Sequence, residues 1–194
     1  VMYHRYLNIK KEDPKWEDRD RFILSKGHAG IAYAPVLCDF GYNDPEQLKT
    51  FNLTNSKMGI HLDSNKVAGV DASTGSLGHG IPIAAGTAIA ARVLGKDYYT
   101  YVVTGDGELD EGSNWEGLMT IRHYNLTNCI TIVDRNHCMI DGNTEDVMKL
   151  EPLAVKFVAF GFHTIVCEGN NIVSLCKAID EAHKTKDKPT VIVA

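Results

Sequence analysis

Short apolar runs alternate with longer mixed segments along the chain, and the alternation predicts its elements. Residues 99–104 (YTYVVT), 130–133, 164–167 and 190–193 are brief runs rich in β-branched residues, and each reads as a strand. Helical spacing covers 81–94, 115–124, 151–160 and 172–184. Upstream, 29–40 (AGIAYAPVLCDF) reads as a helix perturbed or started at Pro35, and 44–51 opens on Asp44-Pro45-Glu46, with proline at the first helical position. Residues 1–27 are polar and of mixed charge, with Pro14 and Trp16, and read as loop plus an approach segment. Residues 52–76 are rich in Asn, Ser, Gly and Thr and read as a long loop, which in a compact domain is usually functional or disordered. Strands alternating with helices predict an α/β fold: a doubly wound, mostly parallel sheet with helices on both faces. Ligands of such sheets bind beyond the carboxyl ends of the strands.

Composition narrows the class without naming a function. A chain of 194 residues with 44% hydrophobic and 23% charged residues predicts one globular domain over 1–194. Its opening at Val1 and its end on a strand at Ala194 predict that the domain is incomplete at both ends. A net charge of −5 gives no footprint for nucleic acid. No apolar run approaches the ~18 residues of a membrane span, and no signal-peptide pattern opens the chain, so the expected location is the cytoplasm. Cys38, Cys129, Cys138, Cys167 and Cys176 form no CxxC pair, which predicts reduced, mostly buried thiols.

The chemistry sits after the strand at 99–104, in Thr104-Gly105-Asp106-Gly107-Glu108-Leu109-Asp110-Glu111-Gly112. Glycines at a strand end let backbone N–H groups approach an anion, and a helix starting near Ser113 aims its positive end at the same place. Asp106 is then free to hold a cation that the anion shares, and magnesium suits such an oxygen site. Glu108, Asp110 and Glu111 read as an acidic cluster suited to the helix N-terminus. A second polar cluster, Asp134-Arg135-Asn136-His137-Cys138, comes after the next strand. Asn136 lies 30 residues past Asp106, about the span of a strand end, a crossover helix and the next strand end. The two side chains are therefore expected side by side at the carboxyl edge of adjacent strands. No Walker A motif and no GxGxxG is present, so nucleotide-binding readings have no support.

Gly-Asp-Gly followed about 30 residues later by an Asn, each after an apolar strand, resembles the thiamine diphosphate motif. The run GDGELDEGSNWEGLMTIRHYNLTNCITIVDRNHCMIDG resembles transketolases, above all those split into amino- and carboxy-terminal subunits. So do Phe22-Ile-Leu-Ser-Lys-Gly-His28-Ala and Asp71-Ala-Ser-Thr-Gly-Ser-Leu-Gly-His-Gly80, and the resemblance runs from about Asp18 to Ala194. It implies the thiamine diphosphate-binding fold. It also implies transfer of a two-carbon ketol unit from a ketose phosphate to an aldose phosphate, in pentose phosphate metabolism.

By that resemblance, Asp106 and Asn136 bind magnesium through their side chains and Cys138 through its carbonyl. Gly105 belongs to the cofactor motif, and Gly107 offers its N–H to the diphosphate. Gly75, Ser76, Leu77 and Gly80 match the loop along the aminopyrimidine. His28 and His61 match histidines of the substrate channel. Three positions depart from the family pattern: Leu62 follows His61 where proline is frequent, His79 stands where glutamine is frequent, and His137 stands where glycine is frequent. The other histidines, among them His4, His123, His163 and His183, read as solvated or capping, and Trp115 and Met119 as packing. The resemblance further implies a partner: the Glu that activates the aminopyrimidine belongs to a carboxy-terminal subunit or domain, and the assembly is a dimer or heterotetramer. Three alternatives stay open. One is a special sulfo- or branched ketose as donor. Another is a dehydrogenase E1-type subunit, against which the Ser-Lys-Gly-His and Gly-Ser-Leu-Gly-His-Gly loops argue. The last is an inactive partner subunit, against which the intact Asp106 and Asn136 argue.

Overall fold

The computed structural model describes residues 1–194. A π-helical turn over Met2–Tyr6 leads into strand β1 (Arg21–Leu24), and a short turn at Gly27–Ala29 opens helix α1 (Gly30–Phe40). A 3-10 turn at Pro45–Thr50 and the long loop precede helix α2 (Gly80–Val93). The chain continues through β2 (Thr100–Gly105), a 3-10 turn at Gly107–Asp110, α3 (Gly112–His123) and β3 (Cys129–Asp134). A small antiparallel hairpin, β4 (Cys138–Met139) and β5 (Gly142–Asn143), leads to α4 (Thr144–Val147) and α5 (Leu153–Ala159). Then come β6 (His163–Val166), α6 (Ile172–Lys184) and β7 (Thr190–Val193).

The main sheet has the order β1-β2-β3-β7-β6, and every pairing in it is parallel. Period-two alternation assigns its two faces. Ile23, Val102, Val133, Val191 and Val193 point to one side and pack with α2, α3 and α5 through Ile81, Ala84, Leu118, Ile121 and Phe157. Tyr101, Ile130, Ile132 and Ile192 point to the other and meet Ala178, Ile179 and Ala182 of α6. From β2 to β3 the chain steps one way across the sheet; from β6 to β7 it steps back. Right-handed crossovers then place α3 and α6 on opposite faces, which is the doubly wound arrangement expected. The central strands β2, β3 and β7 are buried almost throughout, whereas the edge strands β1 and β6 are mostly half-buried.

Several details differ from expectation. The approach segment contains β1, whose Arg21-Phe-Ile-Leu24 run is too short and too polar in its surroundings to stand out. Asp44 does cap the next element, accepting from Glu46 N–H at 2.9 Å, but that element is a 3-10 turn. Proline is accommodated inside α1 at Pro35. Met119 is 61% exposed and does not pack, while Trp115 does, stacking near Phe157. The cysteines are free, as expected, but only Cys38 and Cys129 are buried and Cys138 is exposed. No helix is long and apolar enough to cross a membrane.

One ion pair fixes the long loop to the sheet edge. Asp71, at the head of the DASTGSLGHG loop, accepts from Arg19 Nη2 at 2.6 Å and from Phe22 N–H of β1 at 2.8 Å. Both side chains are largely buried. Asp71→Ala would leave the Arg19 cation desolvated and unpaired, at a cost of about 3 kcal/mol. Urea denaturation checks this, with a lowered midpoint and an unchanged m-value expected.

Candidate functional site

Three strand ends meet at one edge of the sheet. β1 ends into Ser25-Lys26-Gly27-His28, β2 into Gly105-Asp106-Gly107 and β3 into Asp134-Arg135-Asn136-His137-Cys138. The register pairs Gly105 with Asp134, and Asp106 N–H donates to the Asp134 carbonyl at 3.1 Å. The corners carrying Asp106 and Asn136 are therefore neighbours, as their spacing predicted.

The β2 corner is a tight turn held by its own aspartate. Asp106 is 1% exposed, and its Oδ1 accepts from Gly107 N–H at 2.8 Å. Oδ2 accepts from His137 N–H at 2.7 Å and from Arg135 Nη1 at 2.9 Å. Oδ2 is thus filled, and Oδ1 keeps a lone pair. A Cβ on Gly107 would lie 2.8 Å from Met139 Cβ and 3.7 Å from the Cys138 carbonyl, so glycine lets the two corners touch. Asn136 is exposed, and its Oδ1 accepts from Cys138 N–H at 2.9 Å in a local turn. His137 completes the turn at φ +61°, a left-handed conformation that explains why glycine would be at ease there.

This donor set can be tested against a metal. It comprises one buried carboxylate with a vacant lone pair, one exposed side-chain amide and one backbone carbonyl, all through oxygen. Nowhere in the chain do three His, Cys, Asp or Glu side chains gather as a metal group. Oxygen donors with few charges fit magnesium shared with an anion, and do not fit a zinc centre.

The second half of the site is the loop before α2. A Cβ on Gly27 would lie 2.6 Å from the Thr74 carbonyl, and one on Gly75, where φ is +152°, would lie 2.9 Å from His61 Cδ2. His28 follows Gly27 directly, so both candidate histidines, each exposed, come to the Gly75 end of the loop. Thr74 Oγ1 donates to the Leu24 carbonyl at 2.5 Å, and Ser113 Oγ of α3 donates to the Gly78 carbonyl at 2.9 Å. Gly80 sits against Ser25, whose Oγ accepts its N–H at 3.1 Å. Ser76 is exposed and Leu77 half-buried on the same loop, and His79 is exposed at the start of α2.

Lys26 and Arg135 of this edge do not stand out in the sequence, and Glu108 does so only as one of an acidic cluster. Glu108 lies in the first turn of the 3-10 element, but it is 3% exposed and its carboxylate is turned inward rather than left at the helix start. Its position three residues past Gly105 was the available signal, since that reach returns a carboxylate to the strand end. Lys26 Nζ pairs with Asp134 Oδ2 at 2.5 Å, with the lysine side chain 12% exposed, and so links the ends of β1 and β3. Arg135 is 6% exposed and joins Asp106 to Thr144 Oγ1 at 2.6 Å, Glu145 Oε1 at 2.7 Å and Glu151 Oε1 at 3.0 Å. Nothing local to its position signalled this.

Electrostatics follow from that hub. Burial opposes the Arg135 cation, but bonds to Asp106, Glu151 and Glu145 outweigh it and hold its pKa above the ordinary value. Glu151 is held below the usual carboxylate range by Leu153 N–H and by Arg135. Burial pushes Glu145 up, yet the N–H groups of Leu150 and Glu151, with Arg135, bring it below that range. Both acids are depressed in the fold. The stability they contribute is present above their unfolded pKa of about 4.3 and is lost as pH falls through the lower folded values.

Arg135→Gln would leave Asp106 buried without its cation, at a cost of about 3 kcal/mol. Adding Asp106→Asn to that variant removes the stranded charge and should restore part of the loss. Denaturant titration of the two single variants and the double variant measures the coupling.

The whole chain, residues 1–194, matches the family described as "Transketolase, thiamine diphosphate binding domain". It is 41% identical over 193 residues to an apulose-4-phosphate transketolase subunit of Actinobacillus succinogenes, covering 100% of this chain and 70% of that protein. It is 37% identical to a 6-deoxy-6-sulfo-D-fructose transketolase subunit of a Clostridium species, with the same 100% and 70% coverage. Among solved structures, the transketolase from Leishmania mexicana superposes with a TM-score of 0.95 at 37% identity, covering 100% of this chain and 31% of that one. The chain thus spans under a third of the length of that solved transketolase. With the Gly-Asp-Gly corner, the Asn-bearing corner and the glycine-rich loop on one sheet edge, and with these relatives, the chain belongs to the transketolase family, in which it is the thiamine diphosphate-binding domain.

Proposed function

We propose that this chain is the amino-terminal subunit of a split transketolase that uses thiamine diphosphate and magnesium to move a two-carbon ketol unit from a ketose phosphate to an aldose phosphate. One observation carries the reading: Asp106, Asn136 and Cys138 stand on neighbouring corners of adjacent parallel strands, with Gly107 letting the corners touch. Asp106 Oδ1, the Asn136 amide oxygen and the Cys138 carbonyl would hold the metal. Gly105 and Gly107 would admit the diphosphate, with Gly107 N–H as donor. Gly75, Ser76, Leu77 and Gly80 would hold the aminopyrimidine side, His28 would line the substrate channel near the cofactor, and His61 would meet the hydroxyl groups of the donor sugar. When bound, the cofactor supplies the carbanion-stabilising chemistry itself. This chain's share is to neutralise the diphosphate, fix the cofactor's orientation and keep water away.

On this reading residues 1–194 form one domain of a longer cytoplasmic subunit, and the activating Glu comes from a carboxy-terminal partner. Two observations support a partner. The relatives at 41% and 37% identity are named as subunits. Helix α2 is apolar on both sides: Ala84 and Ala88 are buried, whereas Ile83 and Val93 are exposed on the outer side. Such a face suits self-association or a second subunit. The same relatives favour one variant of the reading, in which the donor is a special ketose with a branched or sulfonated chain rather than a sugar of the pentose phosphate pathway.

The test is thiamine diphosphate binding by the full-length protein with its carboxy-terminal partner, with and without magnesium, alongside Asp106→Ala. Binding should require magnesium, and Asp106→Ala should abolish it. Magnesium-independent binding, or binding that survives the substitution, would overturn the assignment. A panel of ketose donors run on the loaded enzyme then separates the ordinary from the special substrates.

A further inference from the structure

The two halves of the site are joined by one side chain with no cation beside it. Glu108 Oε1 accepts from Ser25 Oγ and from Gly78 N–H at 3.0 Å. Its Oε2 accepts from Thr104 Oγ1 at 2.8 Å and from Gly105 N–H at 3.1 Å. Each oxygen thus takes one hydroxyl and one backbone amide, which fills the carboxylate with neutral donors. Oε1 faces the loop before α2 and the end of β1; Oε2 faces the end of β2. The hold reaches further through Ser25, whose Oγ accepts Gly80 N–H at 3.1 Å. The residue itself is anchored by Asn114 Nδ2, which donates to its carbonyl at 2.6 Å.

We infer that Glu108 is a positioning residue that sets the spacing between the Gly75–Gly80 loop and the Gly105-Asp106-Gly107 corner, and so preorganises the cofactor site. The inference rests on the proposed function, in which these are the two halves of one thiamine diphosphate site. The physical reason lies in the count of donors. A carboxylate is acceptor-only and satisfies all four groups at once. An amide of the same shape cannot. Its NH2 would face either Gly78 N–H or Gly105 N–H, and a backbone amide, unlike a hydroxyl, cannot turn to accept. One half of the site must then move away. A ligand that spans both halves meets the cost of bringing them back on binding.

The experiment uses the full-length protein with its carboxy-terminal partner and saturating magnesium. It measures the thiamine diphosphate Kd well below the melting temperature, together with hydrogen exchange at Gly78 and Gly105 without cofactor. Glu108→Gln should weaken binding by about tenfold or more and release the protection of whichever of those two amides faces the new NH2. A residue that only supports the fold would lower the melting temperature and leave the Kd of the folded protein as it was; that outcome overturns the inference. Should Glu108→Gln fail to fold, Ser25→Ala and Thr104→Val each remove one hydroxyl from the carboxylate. Each should then weaken binding by about threefold, and wild-type affinity in both would overturn the inference. Asp106→Ala, run in parallel, separates the two levels. If it loses binding while the Glu108 variants keep wild-type affinity, the site assignment stands and the positioning role falls. If the unaltered protein does not bind thiamine diphosphate, the proposed function falls and the inference with it.

Discussion

The in-register pairing of β2 with β3 is the constraint on which the rest of the site depends. Parallel strands joined by a crossover helix end at the same edge, so the loops that come after them must share that edge. Gly105 opposite Asp134 sets which residues of those loops meet. A slip of one residue would turn the Asp106 corner away from His137 N–H and Arg135, and the strand's buried side chains would change faces with it. Core packing and site geometry are therefore one requirement. Val102 and Val133 in the core hold the same register that brings Asp106 to the Asn136 corner.

Two buried carboxylates two residues apart are stabilised in different ways. Asp106 has a cation, Arg135, on one oxygen and a spare lone pair on the other. Glu108 has no cation and four neutral donors. The first arrangement leaves a carboxylate partly available, as a metal ligand must be. The second leaves nothing available, which suits a residue that holds other groups in place. Burying an anion is costly in either case unless every oxygen is engaged. Chain position alone does not separate the two roles; the direction of the side chain does.

The general architecture was legible because its signals are local. The runs at 99–104, 130–133 and 190–193 are continuous and apolar, as strands buried on both faces must be, and β2, β3 and β7 lie there. The adjacency of Asp106 and Asn136 was legible because a strand–helix–strand unit has a nearly fixed length. β1 was not, since a four-residue edge strand with half-exposed positions leaves little pattern. The hairpin of Cys138–Met139 with Gly142–Asn143 was not either, because two residues carry no period. Glu108 and Arg135 escaped for another reason. An acidic residue near a helix start and a basic one after a strand are ordinary surface features, and their meaning comes from partners distant in the chain, such as Ser25 for Glu108, 83 positions away.

The close approaches at Gly27, Gly80 and Gly107 mean that the site's loops meet backbone against backbone or against side-chain atoms next to the backbone (Ser25 and Met139 Cβ), with no flexible side-chain end between them as padding. Such a rim has little slack. An insertion or a bulkier residue in one loop cannot be absorbed by a neighbouring rotamer and must be matched by a shift in another loop. For protein engineering, the transferable unit is therefore the set of strand ends with the loop between them, moved together. A single motif grafted onto another α/β sheet would arrive without the surfaces that give it its shape.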